Sequence, residues 1–328
     1  MITPKPLVSI VTPAYNAESF LVECIESVLA QTYRNWEYLI VNNCSEDSTL
    51  DIIKEYAKKD KRIRLFNNKK LLTALQNHNY IIHQISSESK YCKVLHADDW
   101  IFSEYLEKMV YLAENNDAVG IVSSYRLVGT KVEATGLPYS QSVFPGKEIA
   151  RDNLLDGPYT FGTPSTLLIR SDIVREKENC YNENHSGADT ELCLEILQNN
   201  DFGFIHQVLS FTRVHDDSIG SLSQKFNTTK PNFLYSFTKF GPVYLNTGEY
   251  EERLSILLKG YYKFLGEQCF YFKGVKFWNY HKESFRNLGF SFSLLRVIKE
   301  GVFFVLKTMM NPEKVAISLL RILPRKRK

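Results

Sequence analysis

The sequence predicts an α/β protein: a mostly parallel, doubly wound sheet with a helical C-terminal region. Short apolar runs rich in β-branched residues alternate with segments whose apolar residues recur every three or four positions, the pattern of strand–helix–strand crossovers. Three of those runs end in polar turns, which such a sheet gathers at one edge. After about Phe226 the alternation stops and aromatic-rich helical segments take over, dividing the chain into residues 1–225 and 226–328. A length of 328 residues accommodates one large domain or two smaller ones, and 44% hydrophobic content fills a core.

Leu7-Val8-Ser9-Ile10-Val11 reads as a buried first strand, ended by Thr12-Pro13. Asn16 is placed to cap the next helix, whose apolar face is Leu21, Cys24, Ile25, Val28 and Leu29. Residues 38–41 make the second strand, followed by a polar turn over 42–47. The second helix turns Leu50, Ile53 and Ala57 inward and Lys54, Lys58 and Lys59 outward. A third strand is expected at 63–66, a helix within 72–85, and a fourth strand at 91–95. Beyond these come strands at 119–124 and 166–169, with a loop-rich stretch over 138–157 between them. A helix after Asp189 has Leu192, Ile196 and Leu197 inward, and two short strands follow at 202–205 and 208–213.

The fourth strand breaks off into His96-Ala97-Asp98-Asp99-Trp100. Adjacent carboxylates repel unless they share a cation or one takes a proton. At the carboxyl edge of a parallel sheet, a divalent metal on Asp98 clamping a diphosphate makes the arrangement useful. The competing reading has Asp98 and Asp99 capping a helix that starts near Phe102 or Ser103. The six cysteines (Cys24, Cys44, Cys92, Cys180, Cys193 and Cys269) have no paired spacing, which argues against a disulfide framework or structural zinc and for a reducing compartment. Residues 1–6 run straight into the first strand, so no leader peptide is expected. With neither GxGxxG nor a P-loop, dinucleotide enzymes and nucleotidyltransferases are disfavoured, and nucleic acid is not an expected partner.

Five segments in order carry a resemblance: residues 8–16 (VSIVTPAYN), 41–49 (VNNCSEDST), 96–100 (HADDW), Gly187-Ala188-Asp189 with Thr190-Glu191-Leu192, and Arg213-Val214-His215 with Ser218. Over roughly residues 6–225 the chain resembles the family 2 glycosyltransferases, inverting enzymes of the GT-A fold that use nucleotide-sugar donors. The resemblance implies that Pro13, Ala14, Tyr15 and Asn16 line the nucleotide pocket, with Tyr15 near the base. Asn43, with Asn42 and Ser45, stands where the family usually has Asp-Asp-Gly-Ser and contacts the base. Asn79 resembles a helix Asn that reaches the ribose or diphosphate; a helix-surface role is the alternative. The family's acidic motif usually reads Asp-x-Asp. Here His96 replaces the first acid, while Asp98 fits the principal ligand of Mn²⁺ or Mg²⁺ and Asp99 supports it or holds the sugar. His96 is a nitrogen ligand, a ribose contact or a packed strand-end residue. Asp189 matches the catalytic base, kept ionised by its helix N-terminus, and Arg213 and His215 match a loop closing over the diphosphate.

From Ser291 onward nine Lys or Arg face two acids, although the whole chain carries only +3. Charges interrupt each apolar stretch short of the roughly 20 residues a spanning helix needs, so this tail is expected to contact an anionic membrane surface through amphipathic helices. Packing on the catalytic domain is the alternative. The expectation is therefore a metal-dependent inverting transferase, cytoplasmic and peripheral on the inner face of the plasma membrane. It would move a sugar to a glycan or lipid-linked acceptor in cell-surface polysaccharide biosynthesis. The second reading is a catalytically degenerate relative that binds a nucleotide sugar or a partner, kept open by His96, Asn42 and Asn43.

Overall fold

The computed structural model describes residues 5–184, 187–215, 226–271 and 273–310. Ser218 of the motif set, and the tail beyond Met310 with its closing Arg325-Lys326-Arg327-Lys328, lie outside the described residues. The chain divides into two compact units, residues 1–218 and 219–328.

In the first unit β1 (Leu7–Ala14), β2 (Trp36–Asn42), β3 (Ile63–Asn67) and β4 (Ser89–Val94) alternate with α1 (Leu21–Leu29), α2 (Thr49–Lys59) and α3 (Ala74–Ile82). All three pairings among these strands are parallel, as the crossover pattern requires. Ile10, Val28, Tyr38 and Ile40 are fully or almost fully buried in one core cluster, so the apolar runs form strands because both of their faces are covered. Thr73 and Gln76 form a reciprocal capping box that starts α3.

The second half of the sheet is mixed. β5 (Trp100–Ile101), α4 (Tyr105–Glu114), β6 (Val119–Val128), β7 (Lys131–Glu133), β8 (Val143–Phe144) and α5 (Gly146–Leu154) precede β9 (Leu168–Arg170), α6 (Ser171–Arg175), α7 (Ala188–Ile196) and β10 (Asp201–Thr212). The spine of the sheet runs β3-β2-β1-β4-β9-β6-β10-β5. β9 enters antiparallel between β4 and β6, which brings β6 and β10 parallel to β4. The two strands expected at 202–205 and 208–213 are one strand, β10. Its pairing with β6 shifts register between Ile205 and Val208, a bulge that breaks the sequence pattern without ending the strand.

The second unit holds α8 (Thr229–Tyr244), α9 (Thr247–Gln268), α10 (Val275–Asn287) and α11 (Leu294–Met309). The aromatic residues that marked the change of texture form its core: Tyr261, Tyr262, Phe277 and Phe285 pack with Leu234, Leu265 and Val297. His281 is fully buried among them, 2.6 Å from the Tyr261 hydroxyl at Nδ1, and burial pushes its pKa down to about 4. The unfolded chain takes up the His281 proton below pH ~6.5 while the folded chain refuses it until about pH 4. Stability should therefore fall as pH drops through that window, by up to ~3 kcal/mol from this group. Hydrogen exchange of the α9 and α10 amides, corrected for intrinsic rates, should show that loss in the native chain and a flatter profile in His281→Gln.

Candidate active site

The strand order reverses between β1 and β4, and the crevice outside their carboxyl ends is where ligands sit in such sheets. β1 delivers residues 13–16 to it, β2 delivers residues 42–45, and β4 runs into residues 96–99.

The first two loops are stapled together. Asn16 and Cys44 both adopt left-handed backbone, φ 45° and 59°. The Asn16 N–H donates to Ser45 Oγ (3.0 Å), Asn16 Oδ1 accepts from the Glu46 N–H (2.9 Å), and the Asn43 N–H donates to the Ala14 carbonyl (2.8 Å). Asn16 is thus not the cap of α1. A turn on the Ala17 carbonyl intervenes and Phe20 stands at the cap position, so Asn16 joins two loops instead. Pro13 is half-buried, Ala14 fully buried, and Tyr15 is 49% exposed, a ring open to a ligand at the mouth.

Asn43 departs from its expected role. It is buried: Oδ1 accepts from the Leu72 N–H (3.0 Å) and Asn68 Nδ2 (2.9 Å), while Nδ2 donates to the Leu72 carbonyl (2.9 Å). Asn42 donates to Asn67 Oδ1 (2.7 Å) and accepts from the Ser45 N–H (3.2 Å). An amide carries both donor and acceptor, so Asn43 satisfies the Leu72 backbone while Asn42 ties its own turn to the Asn67 side chain. Asn79 is corrected on the same ground. Buried on α3, it grips Tyr181 from both sides: Nδ2 to its carbonyl (2.8 Å), Oδ1 from its N–H (2.9 Å). It faces neither solvent nor the crevice.

At the end of β4 the ligand atoms of His96, Asp98 and Asp99 lie within 4.8 Å of one another. Neither aspartate caps α4, whose cap position is Glu104. Asp98 Oδ2 accepts from His215 Nε2 (2.9 Å), which fixes the proton on that nitrogen. Asp99 is 2% exposed, beneath the more open Asp98 and His96. Its Oδ1 accepts from the Arg213 N–H (3.0 Å), while its Oδ2 has no hydrogen-bond partner and stands 3.7 Å from His96 Nδ1. Burial and the neighbouring Asp98 raise the Asp99 pKa, opposed by His96. A divalent cation of the kind the resemblance implies fits these residues: two carboxylates and one imidazole converge, and one buried carboxylate oxygen lacks a partner.

Arg213 and His215 meet the acid pair because β5 pairs with the end of β10, Trp100 stacking on Phe211 at 3.6 Å. Arg213, however, turns back. Its Nε donates to the Asp98 carbonyl (3.1 Å), its guanidinium pairs with Glu23 of α1, and Phe20 and Trp100 lie 4.7 and 5.2 Å from it. In this structure Arg213 ties the loop to α1 rather than reaching outward.

Asp189 is the second residue of α7, after Gly187 at the cap position, so it is not a cap. Its Oδ1 accepts from the Thr190 N–H (2.8 Å), and the charges of His96 and Arg126 both act on it. Burial raises its pKa above the ordinary carboxylate value, the reverse of the expected dipole effect, because desolvation outweighs the helix terminus. Beside it the Tyr159 hydroxyl bonds the Gly162 carbonyl (3.0 Å) and Thr190 Oγ1 (3.2 Å).

Sequence reasoning missed the supports behind the site. Lys93 is fully buried in β4 and its ammonium bonds the Pro164 and Ser165 carbonyls. Ser165 Oγ in turn accepts from the His96 N–H (3.1 Å). Burial drives the Lys93 pKa well below the usual lysine value, with Asp99 opposing. His78, with Nδ1 2.6 Å from the Ala74 carbonyl and a pKa pushed down to about 3 by burial, lies edge-to-face against His96 at 5.2 Å. The lysine was visible as a charge inside an apolar run; His78 left no signal beyond a helical position.

The family model for glycosyl transferase family 2 matches residues 9–176. The Bacillus subtilis putative teichuronic acid biosynthesis glycosyltransferase TuaG is 29% identical over 151 residues, 46% of this chain and 58% of that protein, so the chain spans less than two thirds of that relative. Among solved structures, Staphylococcus aureus TarS in complex with UDP-GlcNAc superposes with a TM-score of 0.62 at 14% identity, covering 86% of this chain and 80% of that one. A Pyrobaculum calidifontis mannosyltransferase in complex with GDP-Man and Mn²⁺ gives 0.55 at 12% identity, covering 97% and 85%. At such identities the likeness is one of fold: this is the GT-A fold.

The new position of Asn79 has a measurable consequence. Asn79→Ala leaves the Tyr181 N–H and carbonyl unpaired in a buried setting, a cost of about 1–3 kcal/mol. Urea denaturation should show that loss.

Proposed function

The chain belongs to glycosyl transferase family 2, and from that premise we propose that it transfers one sugar from a nucleotide-sugar donor to a hydroxyl of a glycan or lipid-linked acceptor. Transfer inverts the anomeric carbon and serves the assembly of a cell-surface polysaccharide. The observation that carries this reading is the His96–Asp98–Asp99 cluster at the strand-order reversal, with a buried carboxylate oxygen left unpaired. A relative named for teichuronic acid biosynthesis, and structural neighbours in complex with UDP-GlcNAc or GDP-Man, support the donor class and the pathway type.

Tyr15 offers an exposed ring to the base, and the Asn16–Ser45 staple holds the first two loops together. Asp98 and Asp99, with His96, would hold Mn²⁺ or Mg²⁺; the nitrogen donor favours Mn²⁺. Such an ion neutralises charge on the departing diphosphate. Asp189 accepts the proton of the acceptor hydroxyl as that oxygen bonds to the anomeric carbon, and the bond from that carbon to the diphosphate oxygen breaks on the opposite face. Its raised pKa suits the task, since a more basic carboxylate takes a proton more readily. The Arg213 N–H and His215 Nε2 hold the acid pair, each bonded to one of its carboxylates. The enzyme works at the inner face of the plasma membrane, where a lipid-linked acceptor resides. The binder reading draws on the same His96 substitution and is separated by turnover.

Asp189→Asn should lower turnover by ~10²–10⁴-fold while nucleoside diphosphate binding persists; undiminished turnover would remove Asp189 from the chemistry. In the native enzyme the acid limb of the kcat profile should lie above pH 3.8, activity vanishing as pH falls through the raised Asp189 pKa. Asp98→Ala should weaken nucleoside diphosphate binding at least ~10-fold with Mn²⁺ present and leave it unaltered in chelator. Calorimetric titration with UDP and GDP in both conditions reads this directly.

A further inference from the structure

The second unit carries an apolar surface that its own core does not use. α11 packs one seam against α9: Val297 and Gly301 are buried, and a Cβ built on Gly266 would stand 2.6 Å from the Gly301 nitrogen. Two glycines thus let the backbones touch, and α11 is seated firmly on its neighbour. Its outer side is another matter. Leu295, Ile298, Val302, Leu306 and Met309 recur at three- and four-residue spacing, which places them in one row. Every one of them is at least half exposed, reaching 80% at Leu295, and Phe303 and Met310 widen the row. Arg296, Lys299 and Lys307, all exposed, lie along one shoulder of it.

We propose that this outer face of α11 docks in the plane of an anionic lipid bilayer, the apolar row entering the acyl boundary and the basic shoulder meeting the headgroups. The inference deepens the membrane partner proposed above and rests on that reading, naming the element that makes the contact. Length supports an in-plane pose: 16 residues with three cations fall short of a span, and no helix among the described residues is long and apolar enough to cross a membrane. Charge selects the occupant. The 18 residues after Met310 add Lys314, Arg321, Arg325, Lys326, Arg327 and Lys328 against the single acid Glu313. A second copy of this chain would bring the same excess of cations to the face, whereas anionic headgroups complement it.

The test is co-sedimentation of the full chain with phosphatidylcholine vesicles and with vesicles containing 30% (about a third) phosphatidylglycerol. Comparison is made with Val302→Asp/Leu306→Asp and with Lys299→Gln/Lys307→Gln. All four positions are solvent-facing, so circular dichroism and melting temperature should match the parent. The parent should bind the anionic vesicles and only weakly the neutral ones, and each double variant should lose at least ~10-fold of that binding. Anionic binding that survives the aspartate pair in a folded variant overturns the proposal. So does a parent that ignores vesicles but forms a dimer which the same pair dissociates, since the face then belongs to a second copy. Titration with UDP, GDP and Mn²⁺ on the same samples keeps the two readings apart: vesicle binding without nucleotide binding sinks the transferase and leaves the helix, and the converse does the opposite.

Discussion

Two carboxylates forced together at the end of a buried strand are the constraint around which the catalytic unit is organised. Asp98 and Asp99 cannot both sit ionised in a low-dielectric crevice without compensation. The chain supplies it from several elements at once: His215 on Asp98, the Arg213 backbone on Asp99, His96 alongside, and a buried lysine gripping the turn that holds the His96 backbone. One oxygen is still left without a partner. A divalent cation, as proposed, would satisfy that oxygen.

The amides around the crevice have a different job. Asn16, Asn42, Asn43 and Asn79 all sit at positions that resemble ligand contacts, yet Asn42, Asn43 and Asn79 are buried, Asn42 bonded to the Asn67 side chain and the Ser45 N–H, Asn43 and Asn79 to backbone groups of distant segments. Loops at a sheet edge expose N–H and C=O groups that no ladder pairs, and a short amide satisfies both kinds. At the second loop this chain uses amides that knit residues 42, 43, 67, 68 and 72 into one support. The shape of the loops at this edge therefore depends on this network, and Tyr15 beside it is exposed, as its proposed contact with a base requires.

Asp189 illustrates how environment overrides position. A helix N-terminus favours a charged carboxylate, but removal from water works in the opposite direction, and at this site it is the larger effect. Arg126 from β6, Thr190 from α7 and Tyr159 from the loop before the 3₁₀ turn at Pro164 lie around it. The result is a carboxyl group that holds a proton more tightly than an ordinary aspartate, the property on which its proposed role as a base draws.

Much of this protein was legible in the linear chain. Apolar runs of four or five residues and helical spacing located β1 to β4 and α1 to α3, because period and burial are local properties of neighbouring residues. The order of five short motifs located the acid pair and Asp189. What the sequence left undecided depends on partners far apart in the chain: the antiparallel entry of β9, the bulge that hides β10 as two strands, the seating of Lys93 and His78 behind His96, and the commitment of Asn43 and Asn79 to backbone. An asparagine reads the same whether it faces a ligand or a carbonyl. Only the fold, by bringing residue 79 to residue 181, decides which.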